Sequence, residues 1–377
     1  MNYNVTPKTI GFDGVRLIQI KSQLGKYPEQ AAALRANADK LLTVEPFTVV
    51  RKKLIPPSGN PNDYMTMGTY WWPDPDKPDG LPYIRKDGVH NPDAHPKCSS
   101  YQQMAEGAYK LAYAAYMFEC DEYAKKAAEL LCVWHVDKET RMNPHAEYAQ
   151  AIPGVCDGRG IGIIDFGRSF AAMEACEILF AIGALSEFDY FAIKKWYVDF
   201  TNWLITSEKG IFEDNYFNNH GAWYDVQVLY AALFTGRKEL ARRVAMNTYR
   251  RRHKTHIMKD GTQPHELART NAASYSMMNL EALVRLAVLS RKIGITEATE
   301  VDGEAGVCLI AEAARFLYPY AVYQENFPYQ QIKPADFGGK MCRMLITLAD
   351  LLGDGEYRAM AEKMAKPEYL LDVDIDL

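Results

Sequence analysis

Residues 99–136 read SSYQQMAEGAYKLAYAAYMFECDEYAKKAAELLCVWHV. Apolar side chains recur at helical spacing over 99–118, and Ser99 or Ser100 stands where an N-cap belongs. The pattern returns over 121–135 after a short break, which predicts a helical hairpin. Outward from it, 28–43 precedes with the same pattern, and 166–184, 188–206, 220–235, 237–250, 272–292, 304–320, 338–352 and 355–365 follow. Short breaks separate these segments, among them SEFD at 186–189, TGR at 235–237 and GDG at 353–355. No alternating strand pattern stands out, and no repeat of fixed period is visible. The expected fold is all-α, an (α/α) toroid of about six or seven helical hairpins with long rim loops. A solenoid is the alternative; long irregular loops between helices favour the toroid. With no composition break to mark a boundary, a single domain over 1–377 is expected.

Composition narrows the function. The 377 residues carry 43 Lys plus Arg against 48 Asp plus Glu, a net charge of −5. At 48% hydrophobic and 24% charged the chain is globular rather than disordered. An acidic balance argues against nucleic acid, which requires a basic surface. It leaves an anionic ligand open, because local field matters more than net charge. No apolar run approaches the roughly 18 residues that span a bilayer, so no membrane partner is expected. The start, MNYNVTPKTIGFDGVRL, has no charged-then-apolar signal pattern, which suits a cytoplasmic protein or a mature exported one. Seven cysteines without a CxxC pair read as small apolar residues, not as a disulfide framework or a zinc site. Of eight His, none is paired at i, i+4 in acidic company; neither metal nor cofactor is expected.

The loops hold the chemistry. Residues 54–98, LIPPSGNPNDYMTMGTYWWPDPDKPDGLPYIRKDGVHNPDAHPKC, cannot hold a long helix, since an interior Pro costs about 3 kcal/mol. Tyr64, Tyr70, Trp71, Trp72 and Tyr83 make it an ordered binding loop. Two more irregular loops are expected at 143–165 and 209–219. Three clusters are candidates. In the first, Asn218, Asn219 and His220 precede Trp223; Asn219 sits at an N-cap position and His220 in the first turn, where the helix field keeps imidazole neutral. A capping Asn beside a surface His is the plain alternative. In the second, His265, Glu266 and Arg269 lead into a helix that Thr270 or Asn271 can cap, with Tyr275 in its first turn. Arg269 and Tyr275 are six apart, about 120° out of line on a continuous helix. They converge only if Arg269 lies before the helix begins. The plain alternative is an Arg269–Glu266 pair beside an ordinary amphipathic Tyr, with Glu266 a helix-start residue. In the third, Tyr70, Trp71 and Trp72 could stack on sugar rings, aided by Arg85, His90, Gln150 and Arg159. A self-packed loop is the alternative.

These residues carry a family likeness. PPSGNPNDYMTMGTYWWPDPDKPDGLPYIRKDGVHNPD, AQAIPGVCDGRGIGIID, NNHGAWYDVQ and DGTQPHELARTNAASYSMMNL, in this order, resemble blocks of the bacterial alginate lyase superfamily of α/α-toroid polysaccharide lyases. The likeness covers roughly residues 53–290. The Arg-to-Tyr spacing and the ELART block look closest to polysaccharide lyase family 38, associated with glucuronan and mannuronate-rich alginate.

The resemblance implies β-elimination on an acidic polysaccharide, giving C4=C5 unsaturated products. The C5 proton of a uronate is too weakly acidic to leave while the carboxylate stays charged. By resemblance Asn219, His220 and Arg269 neutralise that carboxylate and stabilise the enolate-like intermediate, and Tyr275 serves as acid and base. His220 is the rival base. Tyrosine titrates near pH 10, and a neighbouring guanidinium favours the phenolate. Mannuronate and glucuronate differ only at C2, so residues acting at C4 and C5 serve either polymer. A periplasmic or secreted location follows from family habit. Two other classes stay open: a hydrolase on the same scaffold using two carboxylates, and a glycan-binding protein with a decayed site.

Overall fold

In the computed structural model, which describes residues 1–97, 100–323, 326–334 and 337–364, the hairpin read from 99–136 is two helices, Tyr101–Phe118 and Asp121–His135. Ser100 is the cap, its hydroxyl accepting from the Gln103 N–H; Ser99 and Cys98 lie outside the described residues. Glu119 turns the chain in the left-handed region at φ 53°. Tyr101, Met104, Ala108, Leu111 and Ala115 form the buried stripe that makes the helix pay for its ordering.

The described residues gather into two compact units, one of residues 1–213 and 231–236, the other of 214–230 and Arg237 onward. In the first unit, Ser169–Ala181 and Glu187–Thr206 join the hairpin. Tyr101, Trp134, Phe166, Trp196, Tyr197 and Phe200 are buried there, with Tyr101 4.7 Å from Phe166 and 5.4 Å from Trp134 between ring centroids. Of their polar tips, the Tyr101 and Tyr197 hydroxyls bond each other and Trp196 Nε1 donates to the Met142 carbonyl at 2.7 Å, whereas the buried Trp134 Nε1 finds no acceptor among the described residues. In the second unit the long helix Ala272–Lys292 buries Leu280, Leu283, Val284 and Leu286 and contacts Lys238–Thr248, Leu309–Val322 and Gly338–Leu352.

Three features depart from expectation. Short strands occur: Met65–Met67 pairs in parallel with Tyr148–Ala151, and Trp71–Trp72 antiparallel with Ile84–Arg85. At two to four residues they are too short for alternation to register. The expected loop 209–219 opens with the helix Glu208–Asp214. Its Gly210 answers a space requirement, since a Cβ there would lie 1.8 Å from the Leu204 carbonyl oxygen. Further helices run over Val15–Gln23 and Pro264–Leu267.

His135 is buried against Tyr101, Trp196 and Tyr197. Burial pushes its imidazole down to about 4, while an Nδ1–H bond to the Leu131 carbonyl works the other way. A folded pKa below the free value means stability that is present above about pH 6.5 and lost as pH falls toward 4. Each pKa unit is worth about 1.4 kcal/mol. Thermal melts between pH 6.5 and 4 should therefore fall less steeply for His135→Leu than for wild type. Parallel slopes would remove this residue from acid unfolding.

Candidate active site

The expected residues fall into one cluster in each unit. The helix Asn219–Phe234, whose opening turns belong to the second unit, starts one residue off the expected register. Asn218 is the cap: its Oδ1 accepts the His220 N–H at 3.1 Å. Asn219 is thereby released, and both its backbone N–H and its Nδ2 donate to one carboxylate, Glu266, each at 2.7 Å. Asn219 and Glu266 are each 1% exposed. His220 falls in the first turn as expected, half-buried, with the Tyr216 ring 5.3 Å away.

Arg269 lies before the helix Ala272–Lys292, which lets it reach Tyr275. Its Nη2 donates to the Tyr275 hydroxyl at 2.8 Å, and its guanidinium carbon stands 3.8 Å from the ring centroid. Asn271 holds the N-cap position but its side chain makes no cap bond. The helix start is held by backbone pairing instead: Ala272 N–H donates to the Gln330 carbonyl and Ile332 N–H to that of Thr270. Glu266, read as a helix-start residue, lies in the short helix Pro264–Leu267 and is also the partner of Asn219. Burial pushes its carboxyl up; Asn219's two N–H groups, then the charges of Arg269 and His220, draw it back. His265 is exposed, 4.9 Å from the Phe217 ring. Trp223 is corrected: it is 2% exposed and its indole donates to the Met278 carbonyl, so it packs instead of offering a face to substrate.

Sequence reasoning missed Arg252. A π-helical turn over Tyr249–His253 adds a residue to the turn and swings Arg252 inward, 3% exposed. Arg252 grips the Asp225 carboxylate at 2.8 and 3.1 Å and donates to the Asp214 and Tyr216 carbonyls at 2.6 and 3.2 Å. Burial pushes the Asp225 carboxyl up, and the guanidinium opposes it. Only the RRRH run hinted at this, and a basic run ordinarily reads as a solvated face.

In the first unit, Gln150 sits at φ 50°, a left-handed conformation that non-glycine residues rarely take. Its carbonyl and Oε1 accept from Arg159 Nε and Nη2 at 2.9 and 3.0 Å, while its Nε2 donates to half-buried Asp165 at 2.8 Å. Thr66 and Tyr64 donate to the other Asp165 oxygen. The Arg159 guanidinium faces the Trp71 ring at 5.8 Å. Gly68 leaves room for both, since a Cβ would lie 2.5 Å from Trp71 and 2.7 Å from Arg159. Trp72 Nε1 donates to the Val89 carbonyl, Tyr70 meets His90 edge-on at 5.2 Å, and exposed Arg85 pairs with Asp87 at 2.6 Å. Asp165 and Thr66 were not anticipated; a lone Asp after GIGII carries no signal of its own.

The family model for alginate lyases matches residues 49–327. A solved alginate lyase from Bacteroides ovatus is 32% identical over 98% of this chain and 100% of its own, with a TM-score of 0.89. Alginate lyase A1-III from Sphingomonas species A1 is similar in fold, at 14% identity over 89% of this chain and 91% of its own, TM-score 0.51. Its H192A variant, complexed with tetrasaccharide, matches at 14% identity over 76% and 75% of the two chains, TM-score 0.50. No curated protein matches. The fold class is that of the all-α (α/α) toroid polysaccharide lyases. The chain belongs to the alginate lyase family and is a polysaccharide lyase. Among the described residues, no helix is long and apolar enough to cross a membrane.

The segment leading into the Asn219 helix depends on Gly221, where a Cβ would lie 2.2 Å from the Tyr216 carbonyl oxygen and 2.4 Å from Arg252 Nη1. Gly221→Ala should therefore displace residues 216–220 and cut kcat/KM by roughly 10²-fold, as ångström-scale misplacements do. Steady-state rates at wild-type level would show that the contact yields without moving the site.

Proposed function

We propose that this lyase cleaves β-1,4-linked uronate polymers, glucuronan and mannuronate-rich alginate, by syn β-elimination. The observation that carries the reading is the Arg269–Tyr275 contact at 2.8 Å. A guanidinium that donates to the phenolic oxygen favours the phenolate over the phenol. Tyr275 takes the C5 proton, the C5–H electrons form the C4=C5 bond, and the C4–O4 bond breaks. The same proton passes from Tyr275 to the leaving O4, so the residue ends as it began. Negative charge moves meanwhile onto the C5 carboxylate, where Asn219, His220 and Arg269 meet it with N–H donors and positive charge. In the first unit, Trp71, Trp72 and Tyr70 offer rings to sugars, and Arg159, Gln150 and Arg85 polar contacts to their carboxylates and hydroxyls. Trp223 is left out of that set because its ring is packed and its indole N–H is taken by the Met278 carbonyl. We place the enzyme in the periplasm or outside the cell, where such polymers are met.

A panel of glucuronan, polymannuronate, polyguluronate and pectate, followed by ultraviolet absorbance of the unsaturated product, tests the reading. Absorbance should rise with the first two; reducing ends formed without absorbance would mean hydrolysis and sink it. Tyr275→Phe should nearly abolish elimination while polymer binding persists, and retained turnover would transfer the base role to His220. Arg269→Lys, lacking the planar two-donor fork, should lose about 10² to 10³-fold in kcat. Near-normal kcat would take Arg269 out of the transition state.

A further inference from the structure

A carboxylate accepts hydrogen bonds and never donates them. Glu266 receives the Asn219 backbone N–H on one oxygen and the Asn219 Nδ2 on the other, both at 2.7 Å. The planar Asn amide has only two orientations, related by exchange of its oxygen and nitrogen. Facing an acceptor-only partner, one of them is forbidden, because Oδ1 would meet an oxygen. We infer that Glu266 is a positioning residue that fixes the amide of Asn219 one way round, so that its second N–H, not its oxygen, is offered to the substrate carboxylate. Glu266 is suited to the task by its place in the chain. It lies three residues before Arg269 in the turn where the Arg269 N–H donates to the Glu266 carbonyl at 3.1 Å, so one residue ties the Asn219 helix to the Arg269 segment. At 1% exposure each, Asn219 and Glu266 meet in a contact shielded from water. Burial pushes the Glu266 carboxyl up, and the two Asn219 N–H donors with the charges of Arg269 and His220 oppose it. The lock itself rests on geometry, both oxygens being engaged as acceptors at 2.7 Å.

This rests on the proposal that Asn219 faces the uronate carboxylate, and the test separates the two. Glu266→Gln is isosteric. Its Oε1 still accepts the Asn219 backbone N–H, but its Nε2 now donates toward the Asn219 amide, which must turn over to present its oxygen. Every internal bond is remade, while an oxygen comes to lie where the second N–H was. The expected result is a melting temperature within a few degrees of wild type and a loss of roughly 10²-fold or more, falling on kcat, as for removal of one transition-state donor. Asn219→Asp alone sets two carboxylates face to face and should lower the melting temperature sharply. Adding Glu266→Gln to it should restore the melting temperature, not the activity. Glu266→Gln turnover within threefold of wild type would overturn the inference. So would a melting temperature that stays low in the Asn219→Asp/Glu266→Gln pair. If wild type cleaves no polyuronate, the functional proposal fails, and the melting-temperature cycle still decides whether Glu266 holds the amide.

Discussion

One buried guanidinium underlies the second unit's site. Arg252 spends its donors on the Asp225 carboxylate and on the carbonyls of Asp214 and Tyr216, so helix and approaching segment share one anchor. Taking a charge this deep out of water costs several kcal/mol, offset only where partner and hydrogen bonds are both in place. Asn218 can cap, and Asn219 and His220 can point as they do, because the chain reaching them is already tied down. The π-helical turn is what brings Arg252 inward, and such turns often mark functional positions.

The helices were legible because their signal is redundant. In Ala272–Lys292 the apolar stripe of Met277, Leu280, Val284 and Ala287 recurs at helical spacing over several turns, so no single position decides the reading. The short strands carry two to four residues each, and their pairing comes from distant chain. Nothing local in Met65–Met67 announces Tyr148–Ala151. The Gly210 helix was hidden for another reason: the glycine is required by its neighbour, and neighbours across a turn are not written in local composition.

The site divides the same way. For Arg269 and Tyr275, helical geometry gave only the condition under which residues six apart meet, and the family resemblance, not geometry, favoured that condition over an Arg269–Glu266 pair. The partner of Asn219 could not be read, because Glu266 lies 47 residues away in a segment where an Arg269 pair was equally consistent. Trp223 misled because an aromatic near polar residues looks the same in sequence whether its face is open or packed. Net charge was a poor guide to ligand charge, since it averages over the surface while a ligand samples a field screened within about 10 Å.

The position of Arg269 outside the helix and Tyr275 inside it makes chain length a part of the chemistry. Each residue added to a helix turns everything beyond it by about 100°. A single insertion or deletion within 270–274 would carry the phenol to another face while leaving every functional side chain present in the sequence. The identity of an exposed residue in that stretch, such as Ser274, matters less to the site than the number of residues there.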